Sequence, residues 1–247
     1  IADALSVSTK EVYFTSGGSE GNNIIIQGVI NGNPRQGKHL ITTKIEHPSV
    51  FEIFKEYERN GFEVTYLNVD SDGRIKLDEF TDSIRDDTVL ISVIAVNSET
   101  GVIQDLEKIG NIIKQKNKNV YFHSDFVQGL GHIKINPAKC RLDALTVSSH
   151  KVYGPKGAGA IYLSGNVKIK PLIFGSNQEQ GVVQRTLNSS GIIGFGKAVQ
   201  IACENFSKDN AQIKEVKEYL LQKIQNEISD IRVNTIEEDS VPHILNI

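Results

Sequence analysis

Apolar positions along the chain fall into two alternating textures. Short runs rich in β-branched and aromatic residues predict strands at residues 11–16 (EVYFTS), 39–43 (HLITT), 62–69 (FEVTYLNV), 88–96 (TVLISVIAV), 119–124 (NVYFHS) and 144–149 (ALTVSS). Between several of them, apolar residues return every three or four positions, which predicts helices over 20–30, 49–60, 77–84 and 106–116. Ser49 is expected to open the second helix, and Asn60-Gly61 to close it. Strands alternating with helices predict an α/β fold, a mainly parallel mixed sheet covered by helices on both faces.

After Gly191 the texture changes. Residues 192–206 and 211–228 are two long helical patterns in succession, the second strongly charged. Residues 230–236 (DIRVNTI) and 243–247 (HILNI) then read as strands of another unit. This predicts a large domain over 1–205, and a linking helix with the start of an incomplete C-terminal domain over 206–247. The absence of any methionine and the apolar run at the end lead us to expect a piece of a longer protein, its N-terminal part missing as well.

In open α/β sheets, ligands bind in the crevice outside the carboxyl ends of the strands. The notable polar groups occupy that position: Thr15-Ser16-Gly17, Glu46-His47, Asn97-Ser98-Glu99, Asp125, and Ser148 to Lys151. Five strand ends are therefore expected to share one rim, which is the main physical pointer to an active site.

Composition narrows the picture. With 247 residues, 39% of them hydrophobic, the chain is long enough to bury a large core. A net charge of −3 gives no reason to expect nucleic acid. No apolar run approaches the ~20 residues of a membrane-spanning helix, and the first residues lack the basic start and apolar middle of a signal peptide. Two widely spaced cysteines, Cys140 and Cys203, point to a reducing compartment, and a cytoplasmic location is expected. The six histidines show no ligand spacing, so no metal site is expected.

Several motifs carry competing readings. SGGSEGNN places glycines and Ser19 where a strand passes into a helix, a natural phosphate cradle; alone, it reads more simply as Ser19 capping the helix beside glycine turn residues. GIIGFGKA resembles a nucleotide-binding loop, but Ala198 replaces the hydroxyl residue that holds magnesium and no strand precedes it. Residues 68–79 place Asn68, Asp70, Asp72, Gly73 and Glu79 at calcium-loop spacing, yet a strand precedes them, so an Asp-Gly turn is the better account. Asp125 alone reads as a turn cap.

In combination these parts have one chemistry in common. A phosphate cradle, a carboxylate at a strand end and Lys151 at a later one are what pyridoxal phosphate needs: an anion site, a partner for its ring nitrogen and an amine for the Schiff base. Lys151 would then also shuttle the substrate's α-proton.

The motifs FTSGGSEGNN, EHPSV, VNSETGVIQD, FHSDFVQGLG, SSHKVYGPKGAGAIYL and GSNQEQG…TLNSSGIIGFGKA, in order from Val12 to Ala202, resemble class V aminotransferases, specifically cysteine desulfurases. The resemblance implies the large domain of a fold-type I pyridoxal-phosphate enzyme that acts as a homodimer. It implies conversion of L-cysteine to L-alanine, with sulfur passed through an enzyme persulfide to an iron–sulfur scaffold or thiolation partner. Lys151 matches the Schiff-base lysine, Asp125 the ring-nitrogen partner, His47 the histidine stacked on the ring and Gln128 the residue bonded to the ring hydroxyl. Gly18, Ser19, Ser148 and His150 match phosphate ligands, and Thr186 matches a threonine given to the partner subunit.

The chain departs from the family pattern in places. The family's second asparagine is here Ser98, which leaves Asn97 as its substitute, and the usual Arg-Ser-Gly-Thr is Val183-Gln184-Arg185-Thr186. Neither Cys140 nor Cys203 occupies the catalytic cysteine's place, and that residue and the substrate-carboxylate arginine are expected after Ile247. The alternatives are another class V aminotransferase, a selenocysteine lyase, or a fold retained for binding or scaffolding.

Overall fold

The computed structural model describes residues 1–236 and 238–247. Seven strands form one sheet: β1 (Val12–Thr15), β2 (His39–Thr43), β3 (Glu63–Leu67), β4 (Thr88–Ser92), β5 (Tyr121–Asp125), β6 (Ala144–Ser148) and β7 (Gly159–Leu163), in the spatial order β1-β7-β6-β5-β4-β2-β3. From β3 to β6 every pair is parallel, whereas β7 runs antiparallel to both its neighbours, β6 and β1. This is the mainly parallel mixed sheet that the alternation predicts, with β7 in addition to the expected strands.

Strands β2, β4, β6 and β7 are buried along their whole length because helices cover both faces. On one face, α2 (Gly18–Gly32) and α3 (Pro48–Arg59) lay Ile25, Ile26, Val29, Val50 and Phe54 against Leu40, Leu90 and Ile161. On the other, α1 (Ala2–Leu5), α4 (Leu77–Ser83), α5 (Leu106–Lys116) and α6 (Ser189–Glu204) pack Leu5, Phe80, Ile113 and Phe195 with Ile41, Ile91 and Leu145. Successive residues such as Leu40 and Ile41 serve opposite cores because a strand's side chains alternate.

Three local expectations change. His47, not Ser49, caps α3, its Nδ1 accepting from the Ser49 backbone at 3.1 Å. The strand expected through Val96 ends at Ser92; beyond it, Val93 and Ala95 still donate to the carbonyls of His123 and Asp125 at 3.1 and 2.9 Å as the chain bends over the rim. The strands expected at 230–236 and 243–247 do not form. Those segments meet through bonds from the Asn234 and Thr235 amides to the Asn246 carbonyl and through side-chain bonds of Asn234 and Thr235 to Asn246, and they lack the neighbouring strands that stabilise a ladder.

The acidic turn at 70–74 serves the backbone: Asp70 Oδ1 accepts from the amides of Asp72 and Arg74, each at 2.9 Å. At the far end, Asn205 separates α6 from the 22-residue α7 (Phe206–Glu227).

Candidate active site

A cavity of about 460 Å³ opens at the carboxyl ends of the parallel strands. All five expected strand ends contribute to its wall: Gly18 and Ser19 after β1, His47 and Ser49 after β2, Ile94, Ser98 and Glu99 after β4, Asp125, Val127 and Gln128 at the end of β5, and His150 and Lys151 after β6.

Asp125 sits at the bottom, 4% exposed. Its Oδ1 accepts from the Val127 amide at 3.0 Å and its Oδ2 from the Asn22 side chain at 2.8 Å. Burial still raises its pKa above the ordinary carboxylate value; the two donors and the nearby His47 act in the opposite direction. A cationic group arriving from the cavity would therefore find a desolvated, oriented counter-charge.

Asn22 also ties Asp125 to the opposite wall. Its second N–H donates to Ser49 Oγ at 2.9 Å, and Ser49 Oγ lies 2.7 Å from His47 Nδ1. Because the Ser49 amide also donates to that Nδ1, the neutral ring carries its proton on Nε2. Helix α2, the cap of α3 and the end of β5 thus share one hydrogen-bond network.

The first turn of α2 presents the anion cradle. Its leading amides have no partner within the helix, and the dipole end favours negative charge. Gly18 is required here by space: a Cβ would lie 2.8 Å from Val127 Cγ2. Gly159 on β7 is required likewise, since a Cβ would lie 2.7 Å from the Gly17 Cα. Ser148 packs against Gly18, and its Oγ lies 2.9 Å from His150 Nδ1, so both polar groups stand beside the cradle. Lys151 follows in a short 3-10 turn, Ser149–Val152, closed by Tyr153 in the left-handed region at φ 60°.

Not every expected residue faces the cavity. The Asn97 side chain is already engaged: its Nδ2 donates to the Ile45 carbonyl at 3.0 Å, and its Oδ1 accepts from the Glu99 and Thr100 amides of its own turn. Ser98, its neighbour, does line the cavity. Thr186 is exposed and outside the cavity wall. Val183 is buried in the core beneath α2, and Arg185 reaches Glu20 in the first turn of that helix at 3.1 Å. Cys140 is half-buried, its thiol pKa raised by burial, and Cys203 is exposed on α6; neither lines the cavity.

Two hydrogen-bonding side chains of the site lay outside the sequence-derived set of candidates. Asn22 carries a legible signal: it is a polar residue one helical turn before Ile25 and Ile26 on the buried stripe of α2, where a polar side chain needs a partner. Ser49 reads as a helix cap and gives no such signal.

The residues suit pyridoxal phosphate: an anion cradle that a Cβ would obstruct at Gly18, a buried oriented carboxylate at Asp125, and a lysine on the same wall. Sheet order, flanking helices and this rim are those of the large domain of a fold-type I pyridoxal-phosphate enzyme.

Comparison with known proteins agrees. The family model "Aminotransferase class-V" matches residues 1–247, and the chain belongs to that family. It is 41% identical over 234 residues to "Cysteine desulfurase IscS" of Clostridium botulinum (strain Hall), covering 95% of this chain and 58% of that protein. The protein of the same name from Methanosarcina thermophila is 43% identical over 221 residues, 90% of this chain and 54% of the relative. Among solved structures, a "NifS-like protein" superposes with TM-score 0.94 at 37% identity, covering 98% of this chain and 66% of that one. The DndA protein of Streptomyces lividans gives 0.91 at 31% identity, covering 99% and 69%. The chain therefore spans little more than half the length of these two curated relatives.

Proposed function

We propose that the protein is a cysteine desulfurase, converting L-cysteine and an enzyme thiol to L-alanine and an enzyme persulfide, whose outer sulfur passes to an iron–sulfur scaffold or thiolation acceptor. The observation that carries this reading is the convergence of Lys151, Asp125 and the α2 cradle on one cavity, in a chain whose relatives bear that name.

Pyridoxal phosphate, when bound, supplies an electron sink that makes the substrate's α-proton and sulfur labile. The amides of Gly18 and Ser19, with Ser148 and His150, would hold its phosphate. Asp125 would hold a proton at the ring nitrogen, Gln128 would bond the ring hydroxyl, and His47, with its proton on Nε2, would position the ring from the cavity wall. Lys151 Nζ would hold the cofactor before substrate arrives and then take the proton from the substrate's α-carbon. Neither Cys140 nor Cys203 is assigned as the accepting thiol, because neither lines the cavity. We place the enzyme in the cytoplasm as a homodimer, with exposed Thr186 reaching the partner's site.

The test is alanine and sulfide release from L-cysteine by the full-length protein loaded with pyridoxal phosphate. Equimolar alanine and sulfide under reducing conditions, abolished in Lys151→Ala, is the expected result. Loading without desulfuration would overturn the assignment, and failure of the protein to develop cofactor absorbance would overturn the cofactor reading itself.

A further inference from the structure

Among the described residues, only two carboxyl groups are buried: Asp125 and Glu46. Glu46 lies in the turn between β2 and α3, one residue before His47. Both hydrogen bonds it makes fall on one oxygen. Oε1 accepts from Thr43 Oγ1 at 2.9 Å, at the end of β2, and from the Ile94 amide at 2.7 Å, beyond the end of β4. Oε2 is buried with no partner. No lysine, arginine or histidine forms an ion pair with Glu46 among the described residues.

The two acids are therefore built differently. Asp125 has a donor on each oxygen, and His47 lies near enough to favour its charge. A charge on Glu46 would leave one buried anionic oxygen bare, which costs far more than leaving a neutral hydroxyl there. Asp125 acts on Glu46 and disfavours its charge, whereas His47 acts on Asp125 and favours its charge. Burial, the largest influence on Glu46, raises its pKa to about 8.

The Glu46 carboxyl links the wall residues on either side of it. His47 follows it in sequence, and Ile94, whose amide it holds, also lines the cavity. We propose that Glu46 is a positioning residue of the cofactor site: held in its neutral form, it fastens the end of β2 to the chain beyond β4 and leaves Asp125 as the only buried anion facing the bound ring. This inference rests on the cofactor reading above and concerns a residue that does not itself line the cavity.

The experiment compares Glu46→Gln and Glu46→Leu with the parent chain. Pyridoxal phosphate affinity is titrated by absorbance, and the infrared C=O band of protonated carboxyls is recorded for the apo-protein. The amide of Glu46→Gln keeps the accepting oxygen without the charge, so at pH 7 it should bind the cofactor within about twofold of the parent, while Glu46→Leu, which loses both bonds, should bind about tenfold more weakly. As pH rises past 8 the parent should lose affinity relative to Glu46→Gln. The parent's apo spectrum at pH 7 should contain a protonated-carboxyl band missing from Glu46→Gln.

Equal weakening in both variants would mean that the ionised form is needed and would overturn the proposal. So would wild-type binding by Glu46→Leu, or no difference band at pH 7, a readout available even where Glu46→Leu does not fold. Absence of cofactor binding in the parent would instead defeat the cofactor reading and leave the infrared result to decide the protonation of Glu46.

Discussion

The side-chain amide of Asn22 donates to the Asp125 carboxylate at 2.8 Å, a contact between residues 103 positions apart. One end of it is a helix residue on the buried face of α2, and the other is the acid at the mouth of β5. The same amide reaches Ser49, so a single side chain sets the spacing between the acid and the His47 wall.

Asn22→Ala leaves Asp125 with the Val127 amide alone and Ser49 Oγ with His47 alone. We expect about 1–3 kcal/mol loss of stability in urea unfolding, the usual cost of leaving a buried polar group short of a partner. The Asp125 pKa should rise further, and pyridoxal phosphate affinity should fall. A variant as stable as the parent would show that the network carries no strength.

Gly18→Ala places a methyl 2.8 Å from Val127 Cγ2, in the cradle itself. Overpacking of this kind costs about 1–3 kcal/mol. Trimming the neighbour in the double variant Gly18→Ala/Val127→Ala should recover most of the lost cofactor affinity, which equilibrium titration would read directly. No recovery would mean that the glycine serves something other than space.

Stability against pH should bend at both ends, for opposite reasons. His123 is fully buried and its pKa is lowered to about 3, so the stability of its neutral form is complete above the unfolded value near 6.5 and is lost as pH falls toward 3. Glu46 is raised from 4.5 to about 8, so its contribution is complete below 4.5 and is lost as pH rises to 8, by at most about 1.4 kcal/mol per pH unit. Asp125 is raised as well, so its contribution is also lost as pH rises from the ordinary carboxylate value through its folded pKa. Between pH 4.5 and 6.5 the slopes of His123 and Glu46 oppose one another; from 6.5 to 8 stability should fall. Thermal unfolding of Glu46→Gln across that range should show a shallower fall, and an unchanged slope would refute the assignment.

Arg185 neutralises Glu20 beside the cradle, with both side chains mostly buried. Arg185→Ala should expose an anion-binding site to an unpaired carboxylate and weaken pyridoxal phosphate binding by about 1 kcal/mol, the scale of a partly exposed ion pair. Adding Glu20→Gln should restore part of the loss; a double-mutant cycle without coupling would argue against this role.

The sequence by itself determined most of the architecture and much of the rim. Periodicity is a local property, so the six expected strands and the helices flanking them were legible, as was the position of five polar strand ends on one crevice. Lys151, Asp125 and the Gly18-Ser19 turn were legible for the same reason: each sits where a strand ends. Tertiary structure alone decided which polar groups meet. It enlisted Asn22 and Ser49, spent the Asn97 amide on the Ile45 carbonyl, and buried Glu46 with one oxygen bare. It also left residues 230–236 without a ladder, because a strand pattern becomes a strand only where a partner lies alongside. The physical reason is common to all of these: hydrophobic spacing is written along the chain, whereas a hydrogen bond depends on the register of elements that the chain brings together only when folded.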